Sequence, residues 1–127
     1  MERKLSERVI HCAFEVSNQL GAGFLEAVYE NALCLELQEN GIEFQRQKSI
    51  EVSYKNQSVG NYIADIVIEG RLLVELKALS DITKQHEAQV MNYLKATSIK
   101  VGLLLNFGTP KLGVRRIAWR YNEAEKI

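Results

Sequence analysis

The stretch Tyr62-Ile63-Ala64-Asp65-Ile66-Val67-Ile68-Glu69-Gly70-Arg71-Leu72-Leu73-Val74-Glu75-Leu76-Lys77 decides how this chain is read. Two apolar runs flank Glu69-Gly70, a turn signal, so they are expected to form two strands of a hairpin. Side chains alternate along a strand. Leu72, Val74 and Leu76 therefore share one apolar face that must look into a core, and Glu75 and Lys77 share the other. On the first strand Ala64, Ile66 and Ile68 form the matching apolar face, which leaves Asp65 on the side of Glu75. Ile66 lies opposite Val74, and Asp65 opposite Glu75, only if the loop has an odd number of residues. A three-residue loop, Glu69-Gly70-Arg71, with Gly70 in the left-handed conformation meets that condition. A two-residue turn would pair Asp65 with Val74 and scramble the faces.

Outward from the hairpin, the pattern gives the remaining elements. Leu5, Val9, Cys12, Ala13, Val16 and Leu20 recur at a helical period from Leu5 to Leu20, and Gly21-Ala22-Gly23 then breaks the chain. A second helix is expected from Phe24 to Asn40, stopped by Gly41. Period two follows: a strand from Phe44 to Tyr54, a turn at Lys55-Asn56-Gln57, a strand from Ser58 to Ile68 and a third from Arg71 to Leu79. Helix resumes from Ile82 to Thr97, with Ser80 or Asp81 as its cap. Val101 to Phe107 is nearly all apolar, as expected of a strand buried on both faces. Val114 to Trp119 reads as an edge strand and Tyr121 to Ile127 as a tail. The order ααβββαββ predicts an α/β (α+β sandwich-like) fold, a mixed sheet flanked by helices, and one domain over residues 1–127 with no repeat or linker.

The 127 residues suit one domain, and 46% apolar content can build a core without disulfides. Cys12 and Cys34 fall in helical segments and are read as reduced, buried thiols. The 16 basic and 16 acidic residues balance, so any phosphate-binding surface must be local. Neither a signal peptide nor a membrane-length apolar run is seen, and a cytoplasmic location is expected.

Two carboxylates on adjacent strands can bind a hard divalent cation through oxygen, with the backbone carbonyl of Leu76 as a third ligand. Such an ion, Mg²⁺ or Mn²⁺, acidifies the water it holds. Lys77 would orient that water and stabilise negative charge on a phosphate. Without the ion, the facing carboxylates repel, and one has its pKa raised.

Asp65 followed by Glu75-Leu76-Lys77 resembles the core of the PD-(D/E)XK phosphodiesterases, whose fold is restriction-endonuclease-like. Gly23-Phe24-Leu25-Glu26-Ala27-Val28-Tyr29 reads as GxxExxY, the signature of a family of small proteins in that superfamily. Gln89-Val90-Met91-Asn92-Tyr93 reads as QxxxY, as in the RecB-like branch, and Asn106-Phe107-Gly108 is typical of the GxxExxY family. The resemblance runs from Leu5 to Trp119. It departs at Ala64, where the superfamily's name has proline. It implies a nuclease, with DNA favoured over RNA. Asp65, Glu75, the Leu76 carbonyl and Glu26 would hold the metal, Lys77 would be the catalytic lysine and Gln89 would contact the substrate backbone. Tyr93, His86 and Tyr29 would line the substrate site. So small a core has little surface to wrap a duplex, which favours a homodimer or a partner protein.

Each motif has a plainer alternative. Asp65, Glu75 and Lys77 could be a solvated strand face with a cross-strand ion pair. Glu26 and Glu30 are like charges at i,i+4 on one helix face, and either both face water or Glu26 sits favourably near the helix N-terminus. His86, Gln89 and Tyr93 form a stripe in which Tyr93 is a half-buried aromatic and His86 a surface residue. His11 reads as structural. Lys111, Arg115 and Arg116 with Trp119, and Arg46 with Lys48, are either nucleic-acid patches or charged edges that resist aggregation. The competing function is a nuclease-like module that binds nucleic acid or protein without turnover.

Overall fold

The structure is a computed structural model and describes residues 4–127. Helices α1 (Leu5–Leu20) and α2 (Glu26–Glu39) precede strands β1 (Phe44–Tyr54), β2 (Gln57–Ile68) and β3 (Leu72–Lys77). Helix α3 (Lys84–Thr97), β4 (Val101–Asn106) and β5 (Gly113–Ala118) follow. The five strands form one sheet in the order β1-β2-β3-β4-β5. β3 and β4 pair in parallel and every other neighbour antiparallel, so the sheet is mixed as expected.

Helices cover both faces. Ile66, Ile68, Leu72, Val74, Leu76, Leu103 and Leu105 pack with Val9, Val16, Leu33 and Leu37 of α1 and α2. On the opposite face Val67, Leu73, Leu104 and Ile117 pack with Val90 and Leu94 of α3. Every residue of β4 is buried, which explains its unbroken apolar run. Cys12 and Cys34 are free thiols inside the first core.

The β2–β3 loop is the three-residue one that the apolar faces require. Ile68 pairs with Leu72 and Ile66 with Val74, and both Glu69 (φ 50°) and Gly70 (φ 67°) are left-handed. Ala64, however, does not share the face of Ile66 and Ile68. It packs on the α3 side, with Val67 and Leu73. The alternation resets at Asp65: Arg46 pairs with Ile66 and Lys48 with Ala64, the Gln47–Asp65 pair between them is missing, and Gln47 is left-handed at φ 48°.

Other boundaries move for local reasons. α2 begins at Glu26 rather than Phe24, because the Tyr29 hydroxyl holds loop 21–25 by donating to the Gly21 carbonyl (2.6 Å) and accepting from the Phe24 N–H (3.1 Å). The β1–β2 turn has two residues: Lys55 and Asn56 both take positive φ, as a type I′ turn demands, and Gln57 already pairs with Tyr54. β3 ends at Lys77, not Leu79, because buried Asn106 clamps the Leu79 backbone, accepting its N–H and donating to its carbonyl (2.9 and 3.0 Å). α3 starts at Lys84 and its cap is Thr83 rather than Ser80 or Asp81. β4 stops one residue earlier and β5 lies one residue earlier than expected. The C-terminal segment is not a loose tail: the Ile127 carbonyl accepts from the Ser6 N–H (2.8 Å), and its side chain is buried in the first core.

Candidate metal and phosphate site

The β2–β3 ladder stops at the Ile66–Val74 pair. Beyond it the strands fork, and two carboxylates take over the bonding that the ladder abandons. The Leu76 N–H donates to Asp65 Oδ2 (2.8 Å), and the Asp65 N–H reaches Glu75 Oε1 (3.4 Å). On a strand, the N–H and C=O of one residue point to the same side. The Leu76 carbonyl therefore also faces the fork, whereas the Lys77 carbonyl faces β4 and accepts from the Phe107 N–H (2.8 Å).

Glu75 is buried on the α3 side of β3, and its Oε1 also accepts from the Tyr62 hydroxyl. Burial, and then the neighbouring Asp65 charge, push the Glu75 carboxyl up to about 8. The same burial and carboxylates raise Tyr62 and Tyr93, whose rings stack 14° from parallel. Tyr62 is the residue that periodicity misses. Strict alternation puts it with Ile66 in the core, and only the reset at Asp65 turns it toward Glu75. Glu26 opens α2, where an acid suits the helix dipole. Its carboxyl is pushed up by partial burial and then by Asp65, against the pull of Lys77, which places it within electrostatic reach of both.

Gln89 and His86 border an open depression together with Lys77, Gln85 and Asn92. His86 has a structural duty as well: its Nδ1 accepts from the Thr83 N–H (3.0 Å), completing a capping box. The ring proton therefore sits on Nε2. Tyr93 stacks on Tyr62 and lies within electrostatic reach of Glu75 and Asp65. Tyr29 does not join it: fully buried, it stacks on Phe107 (4.8 Å between centroids) and presents no surface to a substrate in this fold. Glu30 does not face water beside Glu26 but is buried and paired with Arg46 (2.8 Å).

Among the described residues, no group of three or more His, Cys, Asp and Glu is gathered to hold a metal. The donor set nonetheless fits Mg²⁺ or Mn²⁺, which commonly use one or two carboxylates and keep several waters. Asp65, Glu75 and the Leu76 carbonyl are all oxygen donors. Asp65 Oδ1 and Glu75 Oε2 make no hydrogen bond among the described residues.

The solved crystal structure of SSO0001 matches with a TM-score of 0.59 at 20% identity, over 95% of this chain and 60% of that one, a likeness of fold. This chain thus spans 60% of that structure's length. None of the curated proteins matches. No helix among the described residues is long and apolar enough to cross a membrane. The family model of the PD-(D/E)XK nuclease superfamily matches residues 3–117, from α1 through the forked hairpin to β5, and the chain belongs to that superfamily.

Proposed function

We infer that this protein is a Mg²⁺- or Mn²⁺-dependent phosphodiester hydrolase acting on nucleic acid, DNA in preference to RNA, within the GxxExxY branch of its superfamily. The observation that carries this reading is the pair of carboxylates meeting at the strand fork, with Lys77 two residues beyond Glu75 on the same strand. Asp65, Glu75 and the Leu76 carbonyl would hold the ion, with Glu26 as an additional acid. When bound, the ion would supply a nucleophilic water at neutral pH. The residues do the rest. Tyr62 fixes one oxygen of Glu75 and leaves the other for coordination. The Lys77 ammonium stabilises charge gathering on the phosphate oxygens. Gln89 and the His86 Nε2–H offer neutral donors to the substrate backbone from the shared depression.

The test measures Mn²⁺ binding and DNA cleavage by the native protein, Asp65→Asn and Lys77→Ala. A hydrolase gives metal-dependent cleavage that both variants lose, with Mn²⁺ binding weakened chiefly in Asp65→Asn. The second reading, a binding module without turnover, draws on the balanced charge and on the lack, among the described residues, of a group of three or more His, Cys, Asp and Glu gathered to hold a metal. It predicts DNA binding without cleavage, little changed by Lys77→Ala.

A further inference from the structure

We propose that Glu30, acting through Arg46 and Gln47, is a positioning residue that aims Asp65 into the strand fork. The proposal rests on the metal-site reading only in what Asp65 is aimed for. The geometry behind it is independent of any ion.

Glu30 is 8% exposed and both its carboxylate oxygens are engaged. Oε2 accepts from Arg46 Nη2 (2.8 Å) and Nε (3.3 Å), and Oε1 accepts from Gln47 Nε2 (2.8 Å). One buried acid on α2 thus grips two consecutive residues of β1. The second of these, Gln47, is held at φ 48°, a conformation that L side chains rarely adopt. The consequence appears directly across the ladder. The pairs on either side, Arg46–Ile66 and Lys48–Ala64, keep one register, and only Gln47–Asp65 is lost. Across that break the sheet faces switch, so Ile66 packs toward α1 and α2 while Ala64 packs toward α3. Asp65 sits at the switch and, released from its partner on β1, bonds the Leu76 N–H on β3.

Helix α2 therefore acts as a ruler. Glu26 opens the helix within electrostatic reach of Asp65, and Glu30, one turn later, sets the strand distortion that turns Asp65 toward the fork. Arg46, which the sequence alone offers for a nucleic-acid patch, is committed to this strut.

The Leu76 amide reports on the aim of Asp65 without metal, and Mn²⁺ affinity reports on it with metal. In Glu30→Gln, amide exchange at Leu76 should accelerate about tenfold relative to Leu103 on the neighbouring strand. Mn²⁺ should bind about tenfold more weakly, the usual effect of losing a partner that orients a ligand. Adding Gln47→Gly supplies the left-handed backbone without the strut and should restore a good part of both. If Glu30→Gln does not fold, Gln47→Ala, which keeps the Glu30–Arg46 pair, should show the same two losses. A lower melting temperature with Leu76 exchange and Mn²⁺ affinity unchanged overturns the proposal and leaves Glu30 an ordinary ion-pair anchor. Absence of Mn²⁺ binding by the native protein would overturn the metal reading instead, and Leu76 exchange would still decide the role of Glu30.

Discussion

At the scale of single residues, Glu75 sets the electrostatic character of the site. Burial and the adjacent Asp65 charge push its carboxyl up to about 8, from about 4.5 when free. A raised carboxylate favours folding only while it stays protonated. The metal-free protein should therefore lose stability as pH rises from about 4.5 to 8, by on the order of a few kcal/mol. Denaturant midpoints at pH 5 and pH 8 check this. The decline should be much shallower in Glu75→Gln, and an equal decline in both proteins would assign it elsewhere. Gly108 is a second residue with a measurable duty. A Cβ there would lie 2.2 Å from the Leu79 carbonyl oxygen, inside the loop that Asn106 clamps. Gly108→Ala should cost more than about 2 kcal/mol in unfolding free energy, because the obstacle is backbone and cannot step aside. That Asp65 and Glu75 meet could be read from hairpin parity and motif spacing, although they meet through side chains and not as the expected ladder pair, because the alternation resets at Asp65. Tyr62, Glu30 and Gln47 were not, because a left-handed glutamine leaves no mark in the sequence and its effect emerges only across the ladder.

Among the elements, α1 and the β2–β3 loop could be read to the residue, since apolar spacing and core-facing parity admit one solution each. The start of α3 could not. Ser80, Asp81 and Thr83 are all capping types, and the choice falls to Thr83 because His86 closes the box from the third helical position, where glutamate or glutamine is the usual signal. Thr83→Ala should destabilise the protein by about 1 kcal/mol and raise amide exchange in the first turn of α3 without affecting α1. The seat of α3 on the sheet is equally specific. A Cβ on Gly102 would come within 2.8 Å of Val90 Cγ1 and 3.3 Å of Leu94 Cδ2. Gly102→Ala should cost about 1–3 kcal/mol by overpacking, read as a fall in melting temperature. A silent substitution would mean that α3 lies farther from β4 than described.

For the molecule as a whole, element order and sheet class followed from pattern, while the closure of the C-terminal segment onto α1 did not. A lone isoleucine after a charged stretch carries no periodicity, yet Ile127 is buried and its carbonyl bonds Ser6. An ion bound only by the folded state stabilises the entire chain by mass action. Mn²⁺ at one hundred times its dissociation constant should raise stability by about 2.7 kcal/mol, seen as a melting temperature that climbs with metal in the native protein and stays flat in Asp65→Asn. The fork between β2 and β3 gives that choice of variant its reason. The Asp65 oxygen that bonds the Leu76 amide belongs to the same carboxylate that the proposed chemistry would use, so under that proposal folding and reactivity would share a functional group. Alanine there would confound a silenced site with a frayed sheet. Asparagine keeps an acceptor for the amide while discarding the charge, and so separates the structural bond from the proposed chemistry.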